Sequence, residues 1–123
     1  MDTIKQSSDF LLRGESVSQG DVTLQPISEI PGGIERQLPK NNQFIIAHSE
    51  TGHNHAIDYV DGVDVYDQDE FISYLHNKTN NVIELKHHRN FDTHKPLGIP
   101  PGARIRIVRQ REYTPEGFRR AID

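Results

Sequence analysis

Turn signals interrupt this chain before any helix can grow long, and that rhythm is its strongest constraint on fold. Short apolar runs alternate with Gly-, Pro-, Asn- and Asp-rich punctuation about every 8–14 residues, the spacing of a β-barrel or sandwich rather than of βαβ units. The clearest run is Ala103–Glu112. Ala103, Ile105 and Ile107 fall on one face and Arg104 and Arg106 on the other, the period of a half-buried strand. Val108 followed by Arg109 interrupts this alternation and predicts a bulge or a strand end. Val22, Leu24 and Pro26 alternate within Asp21–Ile27, a strand that ends or meets an edge at the proline. Gln43–Ser49 reads as a core strand, 49–52 as a turn and His53–Asp58 as a return to extended chain. Asp61 and Gly62 give a hairpin signal. Asn77–Asn81 gives a second, between the runs Phe71–His76 and Val82–His88. Turns are expected at Ile30–Gly33 and Gly98–Gly102.

The expected fold class is therefore all-β: a small single-domain barrel or sandwich of about six to eight strands. A chain of 123 residues is one domain. Residues 1–19 read as a polar N-terminal arm and 20–123 as the β domain. Within the arm, Thr3–Leu12 fits a short helix or an extended segment ordered by a neighbour. At the other terminus, Thr114 as N-cap and Pro115 at the first helical position suggest a short helical turn over Pro115–Ile122. Hydrophobic residues make up only 33% of the chain, so the core must be small. The absence of cysteine excludes disulfides, thiolate metal sites and a cysteine nucleophile. No secretory signal and no membrane-spanning run is read, so the expected location is a virion or the host cytoplasm, with no membrane partner.

Histidine and charge distribution carry the chemistry. Seven histidines are present, six of them in close groups. On an extended chain residues i and i+2 share a face, so His53 and His55 suit one metal ion. His48 or Glu50, across the turn at Gly52, and His88 or His94 on a later strand are candidates to complete the site. Imidazole ligands suit a divalent transition metal such as Zn, Mn, Fe or Ni. A His-x-His followed by a later His is also faintly similar to the metal site of cupins. The alternative is that these histidines hydrogen-bond loop backbone or lie on the surface.

The net charge of −4 conceals a split. Residues 1–75 carry 13 acids and 4 bases, while 76–123 carry 5 acids and 10 bases. Arg104, Arg106, Arg109 and Arg111 form a candidate contact for nucleic acid or an acidic partner. The competing reading pairs them with the acidic segment Asp58–Glu70, so that the two halves neutralise each other within one fold. Asn77, Lys78 and Thr79 spell a glycosylation sequon, without consequence in the absence of a signal peptide.

Gly20-Asp21-Val22, the run AHSETGHNH ending at His55, the prolines of 98–102 and the run RQREY from Arg109 to Tyr113 occur in an order that resembles a group of short proteins of tailed bacteriophages, prophages and some bacterial genomes. The resemblance covers roughly residues 20–123. Where that group has a compact His-Glu-Glu-His, this chain places Asp92 and Thr93 before His94, with His88 further upstream. The resemblance implies a non-enzymatic virion component, such as a capsid decoration or cement protein. Its expected partners are capsid or other virion subunits, or further copies of itself. The alternatives are a cupin-like metal protein, enzyme or sensor, and a nucleic-acid accessory protein.

Overall fold

The computed structural model describes residues 3–47, 54–87 and 95–110. Its elements run α1 (Thr3–Leu12), β1 (Val17–Gln19), β2 (Val22–Pro26), β3 (Glu35–Arg36), β4 (Gln43–Ala47), β5 (His55–Asp58), β6 (Val63–Asp67), β7 (Ile72–Asn77), β8 (Ile83–His87), β9 (Leu97–Ile99) and β10 (Arg104–Arg109). The fold is an all-β sandwich of two antiparallel sheets that do not close into a barrel. The larger sheet has the order β1-β2-β10-β7-β6-β3 and the smaller β4-β5-β8-β9.

The alternating residues read from the sequence form the core between the sheets. Val22, Leu24, Val65, Leu75, Ile105 and Ile107 of the large sheet face Phe44, Ile46, Ile57, Leu85 and Ile99 of the small one. β10 is a central strand. It pairs with β2 along Ile105↔Pro26 to Arg109↔Val22, and with β7 along Arg104↔His76 to Val108↔Ile72. Of the two alternatives expected at Val108 and Arg109, the strand end is what occurs: β10 stops at Arg109, and its registers carry no bulge. Val108 keeps the outward phase of Arg104 and Arg106, and Arg109 returns inward. The doublet that interrupts hydropathy leaves the pleat intact.

Both hairpin signals mark turns, but neither joins paired strands. The turn at Asp61 and Gly62 carries the chain from β5 in the small sheet to β6 in the large one. Gly62 adopts φ 98°, a conformation that disfavours residues with a Cβ. Residues 78–82 likewise carry it from β7 back to β8. Asn77 explains that second crossing. It is fully buried, and its Nδ2 donates to the carbonyls of Asn81, Ile99 and Pro100 at 2.9–3.1 Å. Its Oδ1 accepts from the Thr79 amide and hydroxyl. This side chain replaces the ladder bonds lost where the chain changes sheets. It also leaves the sequon asparagine inaccessible in the folded protein.

Residues 1–19 do more than form an arm. β1 is the edge strand of the large sheet, and α1 packs against β9, the edge strand of the small one. Leu11 enters the core. Gly98 is the point of closest approach, since a Cβ there would collide with the Ile4 carbonyl. Its amide donates to Ser7 Oγ at 2.7 Å. The expected turn at 98–102 starts later than the sequence suggests, because Gly98 and Ile99 belong to β9. The expected helical turn at 115–122 lies outside the described residues.

Candidate functional site at one end of the sandwich

Three features singled out by sequence converge on one end of the sandwich. β4 ends at Ala47 and β5 begins at His55, and these residues are in register. His55 is in turn in register with His87, the last residue of β8. Arg109 closes β10 beside Val22, at the start of β2. The described strands that lead into 48–53, 88–94 and 111–123 therefore end here. His48, Glu50, His53, His88, His94 and Arg111 belong to those segments and lie outside the described residues. Of the metal-ligand candidates, His55 alone is described.

His55 is buried on the inner face of β5. Its Nδ1 lies 2.7 Å from Oε1 of Gln19 on β1, in the opposite sheet. The Gln19 Nε2 is committed to the carbonyls of Leu85 and Lys95, each at 2.9 Å. With both amide hydrogens donated, Oε1 accepts and His55 Nδ1 must carry the proton. That fixes the tautomer, so in neutral His55 the lone pair sits on Nε2. Asp21 Oδ1 is 3.7 Å from this Nε2. The His55 and His87 rings stack in parallel, with centroids 4.1 Å apart. A metal lies near the plane of each imidazole that binds it, and two parallel stacked rings share no such point. His55 and His87 as arranged therefore do not chelate a single ion.

Gln19 carries no motif, so sequence reading missed it. Its only signal is its position directly before the turn at Gly20 and Asp21, on the inward phase of β1.

The arginines divide by face. Arg109 points inward and bridges layers. Its Nε donates to the Glu70 carbonyl (2.9 Å), Nη2 to the Asp69 carbonyl (2.8 Å), and Nη1 to Ser73 Oγ (2.8 Å) and the Ile46 carbonyl (2.9 Å). It thus engages the acidic segment, through its backbone rather than its carboxylates. The Asp69 carboxylate instead accepts the amides of Phe71 and Ile72, both at 2.8 Å. The Phe71 amide above all holds its pKa below the ordinary value. Arg104 is exposed on the outer face of the large sheet. Arg106, half-buried beside it, donates to Gln25 Oε1 at 2.9 Å.

The acidic first half and basic second half do meet at some points. Lys86 pairs with Asp58 at 3.0 Å, and Lys78 with the buried Asp64 at 2.8 Å.

The described elements thus define an all-β sandwich that gathers two histidines and an arginine clasp at one end. The chain belongs to the family described as a domain of unknown function, DUF8820, whose model matches residues 18–110. That span takes in both sheets and leaves α1 outside. No curated protein and no solved structure matches the chain. No described helix is long and apolar enough to cross a membrane.

Proposed function

We propose that this chain is a phage-type structural protein, a non-enzymatic virion component of the kind that decorates or cements a capsid. One observation carries the reading: two polar side chains at the histidine end, the buried Gln19 and the half-buried Arg109, act as clasps. Gln19 and Arg109 together hold backbone carbonyls of Leu85 and Ile46 in the small sheet, of Lys95 before β9, and of Asp69 and Glu70 in the turn between β6 and β7. Such bonds make a rigid base from which connecting segments can engage a partner, the usual division of labour between scaffold and loop. The resemblance to phage proteins supports the same reading. Capsid subunits, other virion proteins or further copies of the chain are the partners, and burial against them would supplement a small core. The test is the composition of purified virions of a phage that encodes the chain. The reading expects a fixed copy number per particle that survives gradient purification. A chain found wholly among the free proteins of the lysate overturns it.

A second reading, a cupin-like metal protein or a structural metal within the first, is favoured by the Gln19–His55 bond. Metal-bound imidazoles characteristically donate their other ring N–H to a fixed acceptor, and Gln19 Oε1 is such an acceptor. His55 Nε2 and the Asp21 carboxylate would be ligands. Among the described residues no group of three or more His, Asp or Glu side chains is placed to hold a metal, so His48, Glu50, His53, His88 or His94 would have to complete the set. Elemental mass spectrometry of untagged protein tests it. Stoichiometric Zn, Mn, Fe or Ni, lost in His55→Ala and weakened about 10–100-fold in affinity by Gln19→Leu, is the expected result. Protein that holds no metal, with a melting temperature unmoved by added Zn, Mn, Fe or Ni, overturns it.

A further inference from the structure

From the strand registers on the outer face of the large sheet, we infer that this face is a binding platform for single-stranded nucleic acid. The inference is independent of the virion and metal readings. Register places one row of outward residues straight across five strands: Gln25 on β2, Arg106 on β10, Tyr74 on β7, Tyr66 on β6 and Arg36 on β3. The adjacent row holds Arg104, His76 and Asp64. Arg36 and Lys78 both reach Asp64 Oδ atoms at 2.8 Å. Asp64 offers a single charge to two cations, so the group stays positive. With Arg104 and Arg106, these two rows and Lys78 hold, among the described residues, four cationic side chains against the one carboxylate of Asp64, in a chain whose net charge is −4.

His76 lies among these cations. Burial, then Arg104 and Lys78, hold its pKa below the usual 6.5. A neighbouring anion would relieve that repulsion.

Charge alone would suit an acidic protein equally well. The rings favour nucleic acid. Tyr66 is half-buried on the open face between Arg36 and the row's centre, and Tyr74 lies buried beside it with its hydroxyl on Gln68 Oε1 at 3.1 Å. A ring supported by Tyr74 on one side and bordered by the Arg36 guanidinium on the other combines stacking with phosphate attraction, the pairing that single-strand binders use. Arg36 and Arg104 are exposed and Tyr66 and Arg106 half-buried, so the face offers the Tyr66 ring to an unpaired base, which a duplex with its bases stacked inward does not supply. Sequence reading found the arginines but not the tyrosines, because Tyr66, Tyr74 and Arg106 are distant in the chain and meet only through β6–β7–β10 pairing.

Fluorescence anisotropy of a labelled single-stranded oligothymidylate, titrated with the full chain, tests the inference. Binding is expected at low salt, with the logarithm of affinity falling against the logarithm of salt with a slope of about −2 to −3, as about three to four phosphates are neutralised on a single strand. The matching duplex should bind more weakly. Tyr66→Ala should cost about tenfold and Tyr66→Phe should retain affinity, since either aromatic ring can stack. Arg104→Glu with Arg106→Glu should abolish binding. Arg104→Gln with Arg106→Gln, a milder pair checked for an unchanged melting temperature, should weaken it at least about tenfold. No binding at low salt overturns the inference, as does binding indifferent to the arginine substitutions. Binding of poly-glutamate as tight as that of the oligonucleotide, with Tyr66→Ala silent, also overturns it and assigns the face to an acidic protein.

Discussion

Arg109 illustrates how much one side chain holds at the histidine end. Four donor contacts to three carbonyls and a hydroxyl require the planar fork of a guanidinium, which an ammonium cannot reproduce. Arg109→Lys should therefore lower unfolding free energy by about 2 kcal/mol in a denaturant titration, leaving carbonyls without their donors. Asn77→Ala should cost at least as much, about 2–3 kcal/mol, because it strips partners from three backbone carbonyls at a fully buried position. Asp69 gives a prediction in pH. Its carboxylate, stabilised chiefly by the Phe71 amide, has a folded pKa below the ordinary 3.8. The unfolded chain binds that proton first as pH falls. The stabilisation is thus complete above the ordinary value and is lost as pH drops through 3.8 towards the lower folded value. Asp69→Asn should narrow its stability deficit against the native chain over that window, in melts recorded from neutral to acid pH. At this scale the sequence disclosed the inward Ile105 and Ile107 and the outward Arg104 and Arg106. It concealed the inward turn of Arg109, because a charged residue on a core phase is visible only once carbonyls to receive it are in place. Gln19 was hidden for the same reason.

Elements were more legible than their pairings. The strands around Val22–Pro26, Gln43–Ala47 and Arg104–Arg109 follow from period and turn chemistry alone, whereas over Thr3–Leu12 the sequence leaves helix and extended arm open and the docking on β9 goes with the helix. Partner choice does not. The Asp61-Gly62 and Asn77–Asn81 signals name places where the chain reverses, and a reversal within one sheet and a crossing between two sheets use the same residues. What separates the two cases is Asn77, whose bonds to Ile99 and Pro100 are contacts distant in sequence. The docking of α1 is a property of the element. β9 is an edge strand, and an uncovered edge invites pairing with other chains. The helix covers it through Gly98, where a methyl group has no room beside Ile4. Gly98→Ala should lift the helix, lowering stability by about 1–3 kcal/mol. Deleting residues 1–13 should go further, lowering the melting temperature and producing concentration-dependent association in sedimentation velocity. If the deleted chain stays monomeric at the native melting temperature, the helix is not the guard of that edge.

The whole molecule reconciles the charge split only in part. Lys86 with Asp58 and Lys78 with Asp64 join the basic second half to the acidic first. The outer face of the large sheet still keeps its excess of cations, and His55 and His87 stack at one end of the sandwich. The sandwich therefore presents two distinct surfaces, one chemical in character and one electrostatic. Sequence order could disclose that both exist, since the histidine groups and the arginine run are contiguous. It could not disclose that Tyr66 and Arg36 join the arginines.

The central position of β10 also has a consequence for biosynthesis. It separates β1–β2 from β7–β6–β3, so during translation the large sheet exists as two unconnected pieces until residues 104–109 leave the ribosome. Folding by accretion from the N-terminus, the general habit of nascent chains, is not open to this one. Its halves must wait for β10, the last described strand, to join them, and a nascent chain arrested just before Arg104 should remain protease-sensitive throughout.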